Sequence, residues 1–330
     1  MAFFNVNGRT KNGEFLTKLE VWFVDPEFKI NTNFLAVKHH TKNALVDIHN
    51  KNSDCVIPFS GGEDSYFVAL CYKELVEEGG LPENSYQLIN ALFKYNHQYL
   101  NESHFDYIDS MRKHLRIEQI IFDIDDNFFG KMFKSATETG ESGGGSLMQY
   151  VVFDSLPGTM VIPEGRPVVM RKPWICTDNT LSEKKYLCDI ARTYEALPKR
   201  INLFSYSRDL YQSFITRNNL NFAYPNISKQ EYDSMSNVEK YNYKNLRHRN
   251  KEEIYYACFP EMKNVFSDSI KISSAEMDPI AKHPLIRRMQ NYIYNLYETQ
   301  GVKLHPKERV FKISEYYNYT WSDFKIKGNL

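Results

Sequence analysis

The run Cys55-Val56-Ile57-Pro58-Phe59-Ser60-Gly61-Gly62-Glu63-Asp64-Ser65 decides how the chain is read. Its first half is a short apolar stretch with the composition of a buried strand. Pro58 lacks the N–H that a central strand needs, so the strand must end at or beside it. A helical pattern follows at once: Val68, Cys71, Tyr72 and Leu75 recur at i, i+3, i+4 and i+7. A strand, a glycine-rich loop and a helix in that order aim backbone N–H groups and the positive helix end at one spot, which is an anion site. Gly61 and Gly62 let the backbone approach an oxyanion without Cβ interference. Ser60 and Ser65 add hydroxyl donors. Asp64 adds a carboxylate, and a carboxylate facing phosphates implies Mg²⁺ between them.

Outward from this loop the chain alternates. Gly79-Gly80 ends the helix. Strands are predicted over Gln87 to Phe93 and Ile117 to Ile124. A helix from Asn101 to Leu115 lies between them, with Phe105, Ile108, Met111 and Leu115 on one face. Residues 134–146, with Gly143-Gly144-Gly145, read as a mobile loop or lid. A helix over Leu147 to Phe153 and strands over Thr159 to Pro163 and Pro167 to Met170 come next. Upstream, a helix is expected from Leu35 to His49. Before it, residues 2–6 and 15–24 with a turn at Asn12-Gly13 read as a hairpin. Downstream, helices are expected at about 181–196, 206–217, 237–257, 284–299 and 306–318. The expected fold is α/β, a parallel sheet with flanking helices, then a mostly helical C-terminal region. The expected divisions are an extension at 1–35, an α/β unit at 36–172 and a helical, basic region at 173–330.

The loop is not a Walker P-loop, because no G-x-x-x-x-G-K-[ST] is present. The pattern S-G-G-x-D-S resembles the PP-loop of the N-type ATP pyrophosphatases, within the adenine nucleotide alpha-hydrolase superfamily. At a usage of roughly 7% per position, five fixed residues recur by chance in a chain of this length well under ~1% of the time. The resemblance implies a HUP-like Rossmannoid sheet and ATP and Mg²⁺ as ligands. It also implies cleavage between the α and β phosphates: a substrate oxygen is adenylated, and a nitrogen or sulfur nucleophile then displaces AMP. By matching positions, Ser60, Gly61, Gly62, Asp64 and Ser65 bind pyrophosphate and magnesium, with Glu63 at the loop's variable position. Adenine is expected near Phe59, Ala91 and Leu92.

Within that superfamily the order of elements is similar to the synthetase half of asparagine synthetases. That family carries a second pyrophosphate-contacting segment, G-E-G-x-D-E, after its fourth strand. Here the place reads Ile162-Pro163-Glu164-Gly165-Arg166, which keeps Glu-Gly but neither the leading glycine nor the Asp-Glu pair. The likeness is therefore distant. Glu164 is the second candidate, and Arg166, Arg171 and Lys172 are the candidate cations for charge developing at the α-phosphate. The paired C-x-x-C cysteines of thiolating relatives and the C-terminal Cys-Gly-x-His of sulfonucleotide reductases are missing. Position 2 is Ala2, so no N-terminal glutaminase is expected, and an amine or ammonia donor would be separate.

The chain has 330 residues with 41 basic and 41 acidic side chains, yet the charges are not evenly spread. Residues 1–165 hold 14 Lys and Arg against 23 Asp and Glu, net −9; residues 166–330 hold 27 against 18, net +9. The basic half is the expected place for an anionic acceptor. Lys240, Lys244, Arg247, His248, Arg249 and Lys251, interleaved with Tyr241 and Tyr243, form a candidate stripe for a nucleic-acid backbone. A base in tRNA or DNA is thus the alternative acceptor, and a non-catalytic nucleotide-binding protein the alternative role. A hydrophobic fraction of 42% excludes global disorder. Five cysteines without a paired spacing exclude a disulfide framework, and no long apolar run or leader is evident, so a cytoplasmic protein is expected.

Overall fold

Two antiparallel strands, β1 (Phe3–Arg9) and β2 (Phe15–Trp22), form the expected N-terminal hairpin. The computed structural model describes residues 3–9, 15–22, 31–100, 104–139, 144–164, 167–169, 175–177, 200–214, 234, 251–266 and 283–299. The turn expected at Asn12-Gly13 lies outside them.

The chain then alternates through α1 (Leu35–Lys51), β3 (Cys55–Pro58), α2 (Glu63–Glu77), β4 (Tyr86–Tyr95), β5 (Gln98–Tyr99), α3 (His104–Arg112) and β6 (Ile117–Asp123). It continues through α4 (Asp126–Thr139), α5 (Gly144–Ser155) and β7 (Thr159–Ile162). β8 (Pro167–Val169) and β9 (Ile175–Thr177) pair with each other, and β10 (Arg200–Asn202) returns to the main sheet. Five strands run parallel in the spatial order β6-β4-β3-β7-β10. Among the described residues of this sheet, only β5 is antiparallel. Asn96 and His97, at φ +49° and +65°, fold it back from β4 with the left-handed pair of a type I′ turn. The protein is thus α/β, with a mostly parallel mixed sheet and flanking helices.

Both faces of the sheet are covered, which is why its strands read as apolar runs. Cys55, Ile57 and Phe59, with Tyr86, Leu88 and Val161, pack under α1, α2, Ile108 and Met111. Their alternates Val56, Ile89, Phe93, Met160 and Ile162 pack under α4, α5 and the helix Pro284–Thr299. Pro58 is the last residue of β3, where its missing N–H costs no ladder bond. α2 ends in a Schellman pair: Gly79, at φ +73°, donates to Val76 and Gly80 to Leu75.

The expected loop over 134–146 is corrected. α4 runs through Thr139 and α5 begins at Gly144, which leaves 140–143 outside the described residues. Phe128, Phe129, Met132, Phe133 and Ala136 give α4 an apolar face that outweighs the polar composition of its last turn. Asp125 caps it, its Oδ1 accepting from Phe128 N–H at 2.8 Å.

Of the helices expected downstream, Arg208–Ser213, residues 251–258 and Pro284–Thr299 are present. Those at 181–196 and 306–318 lie outside the described residues. Among the described residues no helix is long and apolar enough to cross a membrane.

Candidate functional site

From β3 the chain steps outward to β4 and β6, then returns to the other side of β3 for β7 and β10. At such a reversal the loops leaving the carboxyl ends of two neighbouring strands diverge, and the crevice between them is where open α/β sheets bind ligands. The neighbouring strands here are β3 and β7. Ser60-Gly61-Gly62 leaves the first and Pro163-Glu164 leaves the second. The two segments singled out in the sequence thus emerge side by side.

The loop is held by its own hydroxyls. Gly62 N–H donates to Ser60 Oγ at 3.2 Å, and Ser65 Oγ donates to Gly62 O at 3.0 Å. The two hydroxyl oxygens lie 3.2 Å apart. Gly61 sits at φ +77°, a conformation that favours glycine. A Cβ on Gly62 would stand 3.3 Å from Ser60 Oγ. The N-cap residue of α2, Gly62, has no side chain to cap it, and the first-turn N–H groups of a helix have no intrahelical partner. Beneath the loop, Phe59 N–H donates to Ile89 O at 2.7 Å and Asn90 Nδ2 donates to Phe59 O at 2.9 Å. These bonds prolong the β3–β4 pairing past Pro58 and fix the residue from which the loop departs.

The loop's carboxylates meet the helix 251–258. Lys251 Nζ lies 2.8 Å from Asp64 Oδ2 and 3.1 Å from Glu63 Oε2. Tyr255 OH donates to Asp64 Oδ1 at 2.5 Å, and Tyr256 OH to Glu63 Oε1 at 3.3 Å. Burial, followed by the Glu63 and Glu252 carboxylates, pushes the Tyr256 phenol well up, which keeps it a donor. The side chains of Glu63 and Lys251 are each 9% exposed and that of Asp64 26%. The helix itself is fixed: Ile254, Tyr255, Cys258 and Phe259 are buried, and Lys38 of α1 donates to Cys258 O at 3.4 Å while lying over the Phe259 ring.

This placement corrects the reading of Lys251 as part of a stripe facing a nucleic-acid backbone. Lys251 faces inward because two carboxylates in the acidic half of the chain take its charge. The rest of that stripe, 240–249, lies outside the described residues, as do Gly165, Arg166, Arg171 and Lys172. Glu164 is half-buried just beyond β7; its N–H donates to Ile162 O and its carbonyl accepts from Phe204 N–H. The Phe59 ring lies in the core against Tyr66, so at this edge Phe59 offers backbone. Ala91 and Leu92 are consecutive on β4 and point to opposite faces, so they cannot both wall one site. Ala91 packs with the α4–α5 core, whereas Leu92 lines a surface pocket of about 570 Å³ with Tyr99, Arg112 and Ile121.

Asn90, Tyr255 and Tyr256 were not among the expected site residues. Asn90 directly precedes Ala91, which was, and its signal was an amide inside the otherwise apolar run Leu88–Phe93. The tyrosines gave no signal, because their partners are more than 190 residues away in sequence.

The hydrogen-bonding groups of the loop fit an anion. Asp64 as held does not fit Mg²⁺, which binds hard oxygen ligands in octahedral array. Both its oxygens are engaged, an ammonium at 2.8 Å repels a second cation, and no three His, Cys, Asp or Glu gather among the described residues. A comparison with protein-family models finds no match to the chain, and a comparison with curated proteins finds none.

Proposed function

We propose that the chain is an ATP-dependent, AMP- and pyrophosphate-forming enzyme of the PP-loop class. In this reading an oxygen of a small-molecule or nucleotide acceptor attacks the α-phosphorus of ATP, pyrophosphate leaves, and a nitrogen or sulfur nucleophile then displaces AMP. One observation carries it: the Ser60–Ser65 loop leaves β3 and opens α2 at the reversal of strand order, next to the segment that bears Glu164. A loop rich in N–H and hydroxyl donors at that place suits the pyrophosphate portion of a nucleotide.

The roles follow from charge. The N–H groups at Gly61 and Gly62 and the hydroxyls of Ser60 and Ser65 hold the leaving pyrophosphate. Arg171 and Lys172 neutralise charge at the α-phosphate, and Glu164 orients the departing group or its counter-ion. The reading also takes 36–172 as the ATP-binding unit of a cytoplasmic protein. The basic, mostly helical 173–330 region then holds the acceptor.

The test is release of pyrophosphate from ATP and Mg²⁺ across a panel of nucleosides, nucleotides and carboxylic acids, with ammonia or an amine supplied. Ser60→Ala and Asp64→Ala are each expected to lower turnover at least about 100-fold. Unchanged turnover in Asp64→Ala would overturn the reading. The grip of Lys251 and Tyr255 on Asp64 favours a second reading, a nucleotide-binding protein without turnover. Retention of ATP with no pyrophosphate release for any acceptor would select it.

A further inference from the structure

β6 ends the main sheet on one side. Among the described residues it pairs with β4, and its outer side carries no strand. A bare edge offers N–H and C=O groups to another strand, and proteins blunt such edges with proline, lysine or a bulge. The run Ile117–Asp123 holds no proline and no lysine, and its register with β4 is unbroken from Ile117 to Asp123. Its helix-covered face is also not fully closed. Ile117 is buried, but α3 ends at Arg112, beside Gln119, and Ile121 beyond it is 51% exposed. Ile121 and Leu35 are the large apolar side chains left exposed among the described residues. Leu92, in register with Ile121, lines with it the pocket of about 570 Å³. Arg112 stands over the same face and donates to Gln119 Oε1 at 2.8 Å. Asp123, at the end of the strand, is exposed.

We infer that this edge is the interface of a homodimer, in which β6 pairs antiparallel with β6 of a second copy across a two-fold axis perpendicular to the sheet. Such an axis keeps α3 of both copies on one side, so directly opposed residues must share a face. The axis therefore falls at a residue and not between two. With the axis at Ile121, that side chain meets the partner subunit's Ile121, and the exposed apolar surface is covered. Ile120 then meets the partner subunit's Phe122 on the other face. Gln119, with the Arg112 guanidinium over it, meets the partner subunit's Asp123. Apolar side chains oppose apolar ones, and the cation opposes a carboxylate twice by symmetry. An axis at Gln119, Ile120 or Phe122 instead sets a carboxylate of Glu118 or Asp123 against an apolar side chain. The strand thus complements itself in one register, which is what selects a second copy of this chain as the partner. The dimer stands independently of the proposed activity.

The experiment is sedimentation velocity of the full chain at micromolar concentration, with the wild type expected as a dimer. Ile121→Lys places two like charges at the axis and should weaken the dimer at least about 100-fold. Asp123→Arg should weaken it at least about tenfold by facing the partner subunit's Arg112, and adding Arg112→Glu, which exchanges the two charges, should restore it. Leu35→Lys alters the other exposed apolar residue and should leave the dimer unchanged. Oxidation with diamide reads the register. Residues opposed across the axis have Cα atoms about 4.5–5.5 Å apart, within disulfide reach, so Ile121→Cys should give a covalent dimer. Gln119→Cys, about 13 Å along the strand from its own mate, should not. Cys55, Cys71 and Cys258 are buried, and the wild type oxidised in parallel sets the background.

A monomeric wild type would overturn the inference. So would a dimer that survives Ile121→Lys, or crosslinking at Gln119→Cys equal to that at Ile121→Cys. If Ile121→Lys does not fold, the two cysteine variants decide alone.

Discussion

Tyr255 lies nearly flat on Phe67, with ring centroids 4.3 Å apart and planes 17° from parallel, and its hydroxyl reaches on to Asp64 Oδ1. One side chain therefore joins the core beneath α2 to the carboxylate at the mouth of the loop. The two contributions separate by substitution. Tyr255→Phe keeps the stack and removes one hydrogen bond to a partly exposed carboxylate, and is expected to lower unfolding stability by about 1 kcal/mol. Tyr255→Ala empties a fully buried site and is expected to cost about 3–5 kcal/mol. Urea unfolding checks both; the midpoint should shift with an unchanged slope.

Gly158 sets the pairing of the two strands that flank the candidate site. It lies at φ +82°, and a Cβ there would stand 2.6 Å from the carbonyl oxygen of Asp54. That carbonyl accepts from Thr159 N–H at 2.7 Å, directly where β3 and β7 begin their register. Gly158→Ala combines a left-handed backbone with a clash against backbone, which cannot rotate away. The expected loss is about 2–4 kcal/mol, seen as a lowered thermal midpoint.

His283 makes stability depend on pH. Its Nδ1 lies 3.2 Å from Leu285 N–H, which can only donate, so the neutral ring carries its proton on Nε2 and directs it at Tyr95 OH, 2.9 Å away. The ring also stacks on Phe129. Burial lowers its pKa below the ordinary 6.5. The unfolded chain then binds more protons than the folded one just below pH 6.5. The stabilisation is complete above that value and is lost as pH falls toward the lower folded pKa. Protonation of Nδ1 also removes the acceptor that caps the helix Pro284–Thr299. The wild type should lose thermal stability between pH 7 and 5. His283→Asn, which can cap without titrating, should lose less over the same range.

How much of this was legible in the sequence follows from how local each cause is. Pro58 announced the end of β3, Gly79-Gly80 the end of α2, and His283-Pro284 the start of the last described helix, because each acts within a few residues. α4 has local signals too, Asp125 as cap and the Phe128–Ala136 face, but the polar composition over 134–146 by itself points to a loop. The partners of Asp64 were not legible. Lys251 sits 187 residues away on a helix whose charged residues, taken alone, suggest a surface stripe. Only the folded chain shows that this position turns inward, where burial of Ile254, Tyr255 and Cys258 fixes the helix's rotation.

The two glycines of the loop separate stability from anion binding. Gly61 holds φ +77°, so Gly61→Ala is strained wherever its side chain points, and a stability loss of about 1–2 kcal/mol is expected. Gly62 holds φ −76° and ψ 164°, a conformation alanine adopts freely. Among the described residues its added Cβ would meet only Ser60 Oγ, at 3.3 Å, and a hydroxyl can rotate aside. Gly62→Ala should therefore match or exceed the wild type in stability, by up to about 1 kcal/mol through a less flexible unfolded chain. The displaced hydroxyl no longer accepts from Gly62 N–H at 3.2 Å, and the methyl occupies the approach to the first-turn N–H groups of α2. Calorimetric titration with inorganic pyrophosphate in the presence of Mg²⁺ should show at least tenfold weaker binding in this stable variant. Equal affinity in Gly62→Ala and the wild type would mean that pyrophosphate does not sit in the Ser60–Ser65 cradle.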